Sequence, residues 1–241
     1  MKLIASKSDT DIQELRGTLE TYMSSVISGE KIEQNELGEN KKTERSKMAI
    51  GMMTMFIIVF TGNSIALLLE DKKLKTFTRT FCAPVQGYET VLGYLVANIL
   101  LGTVQIMIFL FFTTYIFNIE WGISVAYIFI LLFIFMIGAI GLAIGLAGFI
   151  SDSEKYNMVL MLTGLATSFL GGSFFPIENL NSFIQRISNF TPQKWLMDSF
   201  DVLANGGSFV DIQMNILILL LFGVVLFTFG VKTLRPNPED L

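Results

Sequence analysis

Few side chains in this sequence could do chemistry, and one short stretch sets a dense basic cluster between two apolar runs. Residues 67–94 read LLLEDKKLKTFTRTFCAPVQGYETVLGY. Glu70 and Asp71 close an apolar run, and Lys72, Lys73, Lys75 and Arg79 follow at once. Leu74, Phe77 and Phe81 recur among them at helical spacing. Such a pattern suits a short amphipathic helix lying along a membrane surface. Its basic residues would reach lipid headgroups, at about 1 kcal/mol each. The same cationic face would serve as a docking surface for a cytoplasmic partner, and the residues alone leave both readings open.

The remaining reactive inventory is thin. The chain has one cysteine, Cys82, and no histidine. No internal disulfide, His-dependent triad or His-ligated metal site can therefore be assembled from it alone. There is no G-x-x-x-x-G-K followed by Ser or Thr, and no soluble segment large enough for a nucleotide domain. Any work powered by ATP would need another subunit to bind the nucleotide. No cofactor is expected, and no nucleophile, base and ligand set converges as an enzyme would require. Nothing forms the long basic face of a nucleic-acid binder.

These residues must be positioned by a chain of 241 residues that is 52% hydrophobic and only 16% charged, with a mean hydropathy of +0.58. Soluble domains carry about 25% charged residues. The deficit is concentrated in five apolar runs: Met48–Leu69, Val91–Phe117, Ser124–Ile150, Asn157–Phe175 and Ile212–Val231. Each is close to the roughly 20 residues that a helix needs to cross a bilayer. Backbone groups in hydrocarbon must be satisfied internally, and the runs lack the period-two alternation of a barrel strand. The expected fold is therefore an all-α integral membrane protein with five transmembrane helices. Residues 1–47 read as a soluble appendage: an amphipathic helix over 9–27, then a polar linker. Residues 48–235 form the membrane domain, and 236–241 a short tail.

Five spans place the two termini on opposite sides. Basic residues favour a cytoplasmic 70–90 loop and an extracytoplasmic 176–211 loop, although Lys41, Lys42, Arg45 and Lys47 oppose that orientation. The 176–211 loop carries Ile177, Leu180, Phe183, Ile184 and Ile187 on one helical face, then Trp195, Leu196 and Phe200. Two short helices at the outer interface are expected, started or broken by Pro176 and Pro192. Gly141 and Gly145, and then Gly164, Ser168 and Gly172, form small-xxx-small series that read as helix-packing surfaces. Thr61, Asn63, Ser64, Asn98, Gln105 and Thr163 lie inside the runs, all uncharged. They read more simply as interhelical hydrogen-bonding groups than as an ion pathway.

Two stretches together resemble the permease subunits of type-2 ABC exporters. The first is Glu70 to Gly93, with the Thr–basic pattern of Thr76 and Arg79, then Ala83-Pro84-Val85 and Leu92-Gly93. The second is Gly171-Gly172-Ser173-Phe174-Phe175-Pro176 with Ile177-Glu178-Asn179-Leu180, followed by Thr191-Pro192, Trp195 and Asp198. The resemblance implies that Glu70, Lys72, Lys73, Thr76, Arg79 and Pro84 belong to a cytoplasmic segment that couples to a separate ATPase subunit. It implies that Gly172, Pro176, Glu178, Pro192 and Trp195 belong to an extracytoplasmic re-entrant loop. A second permease copy, as homo- or heterodimer, and a location in the bacterial cytoplasmic membrane follow from the same likeness. So does the export of an amphipathic small molecule, drug or lipid. Such permeases typically have six helices, so this chain is expected to lack the first. A non-transporting scaffold or immunity-type protein with the same fold is the alternative.

Overall fold

The computed structural model describes residues 43–67, 69, 70, 87–174, 177 and 181–233, together with Met23. The chain divides into two compact units, Met1–Glu44 and Arg45–Leu241. The second contains the helices described below, apart from the first two residues of α1. They are α1 (Thr43–Leu67), α2 (Gly87–Phe111), α3 (Val125–Ala147), α4 (Ser153–Leu170), α5 (Ser182–Ser188), α6 (Pro192–Ala204) and α7 (Gln213–Thr233). Among the described residues all regular structure is helical. Three segments among the described residues are long and apolar enough to cross a membrane: Thr43–Leu67, Gly93–Ile116 and Val125–Ala147. A shorter apolar stretch, Gln213–Leu226, lies in α7.

Local chemistry sets the boundaries. Asp152 caps α4 by accepting from the Lys155 N–H at 3.2 Å, and Asn181 caps α5 in the same manner from Phe183. Pro192 opens α6 at the position where its missing N–H costs nothing. The fourth apolar run was expected to continue to Phe175, but α4 stops at Leu170. Gly171 and Gly172 follow it, and Gly172 takes a φ of +77°, which a side chain would resist. The end of α2 widens into a π turn over Phe112–Ile116. Within it the Thr113 hydroxyl donates to the Phe109 carbonyl at 2.7 Å, and a threonine bonding back in this way competes with the regular helical ladder.

α3 is the central element. Leu132, Phe135, Met136, Ala143 and Ile144 are all essentially inaccessible. α7 makes the most extensive pairing with it among the helices from Gly87 onward. Their backbones come close at Gly138 and Gly223, where a Cβ built on either would lie 3.6–3.8 Å from the other glycine. That is ordinary contact distance. On the far side, α2 turns Val96, Leu100, Val104, Met107 and Phe111 outward. Apolar faces this continuous suit lipid rather than water. Between helices in lipid the stabilisation comes from close packing and buried hydrogen bonds.

Contacts at the helix ends fix which segments lie together. Ser46 Oγ donates to the Glu120 carbonyl at 2.9 Å, and Lys47 pairs with Asp201 at 2.7 Å. Tyr127 stacks on Phe209 with ring centroids 5.9 Å apart. The start of α1, the 118–124 turn, α6 and the approach to α7 therefore share one end of the bundle. Glu70, the start of α2 and the turn between α3 and α4 lie at the other.

Tyr156 ties α4 to α3: it is fully buried, and its hydroxyl donates to the Ala143 carbonyl at 3.0 Å. Tyr156→Phe removes this bond, a loss of about 1 kcal/mol. The thermal midpoint of the detergent-solubilised chain is expected to fall by about 2–4 °C. An unchanged midpoint would show that the bond adds nothing to α3–α4 packing.

Candidate functional site: the α1–α4 seam and its capping helices

α1 and α4 run antiparallel and approach through glycines. A Cβ on Gly62 would run into the Leu160 side chain, coming within 2.8 Å of Cγ. One on Gly164 would lie 3.2 Å from Ile58 Cγ2. Nearer the α6 end, a Cβ on Gly51 would collide with the Ser173 backbone, coming within 2.7 Å of its carbonyl carbon. Backbone cannot yield as a flexible side-chain tip does, so Gly51 is where the seam depends most on a missing side chain.

The composition of the seam changes along its length. Around Ile57, Ile58 and Leu160 it is aliphatic and buried. Toward α6 it becomes small and polar: Thr54, Ser168 and Ser173 are each no more than 2% exposed. Thr54 Oγ1 donates to the Gly51 carbonyl at 2.7 Å and lies 3.5 Å from Ser173 Oγ, too far for a good hydroxyl hydrogen bond. Ser168 Oγ has no hydrogen-bond partner among the described residues.

α6 closes this end. Its apolar face, with Leu196, Phe200 and Leu203 buried, packs toward α3 and α7. Gln193, fully buried in its first turn, donates from Nε2 to Thr167 Oγ1 of α4 at 2.7 Å. It sits so close to Gly171 that a Cβ there would strike its own Cβ. The Gln193 amide oxygen is left unpartnered. Asp201, near the other end of α6, holds Lys47 of α1. Lys194 pairs with Asp198 one turn on and lies 5.8 Å from the Trp195 ring centre. Trp195 Nε1 donates to the Asn189 carbonyl at 2.9 Å, joining α6 to the end of α5.

The loop after α6 has its own electrostatic clasp. The Ser208 N–H and hydroxyl both donate to Asp211, at 2.8 and 3.0 Å. These bonds hold its carboxyl below the usual carboxylate range. A depressed folded value means that the contribution is present at neutral pH and lost as pH falls through that value. Protection of the Ser208 amide against hydrogen exchange is expected to hold from neutral pH through the ordinary carboxylate range and to fall only in stronger acid. Constant protection into stronger acid would contradict the clasp.

A groove of about 390 Å³ lies between α1 and α2, lined by Met53, Phe56, Phe60, Leu101, Val104, Gln105, Ile108 and Phe109. Among the described residues the Gln105 amide oxygen is buried without a partner, and Asn98, 2% exposed, has both amide atoms unpaired. Buried amides in such a state are costly, so these two mark places where a hydrogen-bonding partner would be welcome.

The sequence-based site residues are placed unevenly. Glu70 is exposed near the end of α1. Lys72, Lys73, Thr76, Arg79 and Pro84 lie outside the described residues, with the amphipathic helix expected there, and so do Pro176 and Glu178. Gly172 forms the turn after α4, Pro192 starts α6, and Trp195 is half-buried on it. Gly141 and Gly145 are buried on α3, while Gly164 and Ser168 are buried on α4, with Gly164 set against α1. Sequence reasoning missed Gly51, Gln193 and the Lys47–Asp201 pair. It also missed Gly62, which with Ala66 forms a small-xxx-small step that a wider search would have found.

Residues 4–232 match the family described as ABC-2 family transporter protein. The chain is also 29% identical, over 194 residues, to the linearmycin resistance permease protein LnrN of Bacillus subtilis (strain 168). The aligned region is 80% of this chain and 50% of that protein, so the chain spans about half the length of the curated relative it matches.

Proposed function

This chain belongs to the ABC-2 family of transporter proteins, and from that premise we propose that it is the membrane-spanning permease subunit of an ATP-driven exporter. It binds no nucleotide itself; a separate cytoplasmic ATPase subunit hydrolyses ATP. A second permease copy completes the pathway. Five of the helices, α1, α2, α3, α4 and α7, cross the bacterial cytoplasmic membrane, and α5 and α6 form the re-entrant outer element. The family match across nearly the whole chain carries this reading. The geometry is consistent with it: Glu70 and the start of α2 lie at the end opposite α6. In this orientation Lys72, Lys73, Lys75 and Arg79 are cytoplasmic, as positive-inside statistics favour. Residues 70–90 then connect two spans and pass a push from the ATPase into them as a rigid-body motion.

The cargo is an amphipathic organic molecule. Support comes from the apolar groove with one unpartnered amide oxygen, and from a relative whose name records linearmycin resistance. The test is growth inhibition by linearmycin in a sensitive bacterium carrying the chain with an ATPase subunit, against one carrying the ATPase alone. A higher inhibitory concentration that disappears with an ATPase unable to hydrolyse ATP is expected. Equal inhibition in both strains would remove linearmycin-like cargo from the account.

A further inference from the structure

One helix, α6, is bonded to both helices of the seam. It reaches α1 through Asp201 and Lys47, and α4 through Gln193 and Thr167, each at 2.7 Å. Its own apolar face is buried toward α3 and α7. We propose that α6 is a fixed post to which the neighbouring ends of α1 and α4 are reversibly fastened, and that releasing both fastenings opens the α1–α4 seam at that end. Lys47, Asp201, Gln193 and Thr167 are then positioning residues that set how readily the seam opens. The purpose of such an opening, exit of cargo, rests on the permease reading; the geometry of the fastening does not.

Three observations carry the proposal. Both fastenings are of a reversible kind. The Lys47 and Asp201 side chains are 35% and 30% exposed, so water can replace their pairing at little cost. Gln193 is held to α4 by a single side-chain hydrogen bond. Secondly, the surface under α6 is built to separate. Gly51, Thr54, Ser168 and Ser173 present small and hydroxyl-bearing groups, not interlocked aliphatic chains. Two polar atoms there, Ser168 Oγ and Gln193 Oε1, are buried without partners among the described residues, and hydration on opening would satisfy them. Thirdly, the seam has a natural pivot. Farther from α6, Gly62 receives Leu160 and Gly164 receives Ile58, a close aliphatic fit. The seam is therefore expected to part at the polar end and hold at the aliphatic one.

The experiment uses the full chain in membrane vesicles, with Cys82→Ser removing the native thiol and Ser173→Cys supplying a buried reporter. The rate of labelling by a membrane-impermeant maleimide, applied from the α6 side, reads the opening. Labelling is expected to be slow with both fastenings intact and about fivefold faster in Asp201→Asn. A similar gain is expected in Gln193→Leu, and the two gains should multiply when combined. Exchanging the charges, Lys47→Asp with Asp201→Lys, should restore slow labelling, which a merely damaged fold would not do. Should Gln193→Leu fail to fold, Lys47→Ala carries the same test on the α1 fastening. Unchanged labelling in Asp201→Asn and Lys47→Ala would overturn the proposal, as would fast labelling that the charge exchange fails to reverse. Labelling needs neither cargo nor nucleotide. Loss of export with this labelling pattern intact would therefore count against the permease reading and leave the fastening standing.

Discussion

Gly51→Val is expected to cost about 3 kcal/mol or more, because the new side chain must displace the Ser173 backbone and not merely a mobile side chain. In a protein of this size that lowers the thermal midpoint by about 10 °C. The measurement is a thermal-unfolding scan of the detergent-solubilised chain. The informative control is Gly138→Ala at the crossing of α3 and α7. A Cβ there would meet Gly223 only at ordinary contact distance, 3.8 Å from its Cα. Its midpoint should stay close to that of the parent chain. If both variants behave alike, the α1–α4 seam is not the close-packed joint described above. A large loss for Gly138→Ala alone would move the critical approach to α3 and α7.

Replacing Glu70 or Arg79 is expected to break transport while leaving the fold standing. The proposed coupling segment, 70–90, has no catalytic part to lose; its role is to pass on a displacement. Glu70→Gln and Arg79→Ala should reduce ATP-dependent export about tenfold or more. Hydrolysis by the ATPase should continue, and the amount of chain in the membrane should stay constant. An effect of that size is about 1.4 kcal/mol, within the range that one well-placed charged contact supplies at an interface. Arg79→Lys is the discriminating variant. Lysine keeps the charge but lacks the planar fork, so partial recovery would mean that charge matters and full loss that geometry does. Normal export in all three variants would remove this segment from the coupling role.

Much of the architecture could be read from the sequence because it depends on composition over long windows. Among the described residues helices stand at the five apolar runs, since an uncharged stretch of that length has few other stable forms. Three of them are long and apolar enough to cross a membrane. Pro192 announced the start of α6, because its backbone preference is local. The turn at Gly171-Gly172, in contrast, ended α4 before the expected Phe175. The candidate site was less legible. Lys47 and Asp201 meet only after the bundle has formed, and nothing near either in sequence marks the other. Gln193 is a single polar residue beside a proline, and its burial follows from how α6 seats against α4. Gly141 and Gly145 drew attention by their repeat, whereas the tightest backbone approach is at Gly51, which belongs to no repeat. A period reveals which residues share a face. It does not reveal which face finds a neighbour.

The Lys47–Asp201 pair also bears on orientation. The basic cluster at 41–47 weighed against an extracytoplasmic start of α1, because such residues usually stay inside. At least Lys47 has an acidic partner at the same end of the bundle, so its charge does not stand alone there.

The central claim is that this chain works as the permease of an ATPase it does not contain. Purifying the tagged full chain in mild detergent, together with its candidate ATPase, tests that claim most directly. The expected result is a stable complex that retains the ATPase and loses it when the basic residues of 70–90 are replaced. A folded, monodisperse chain that elutes without any ATPase, whether or not those residues are intact, would contradict the claim.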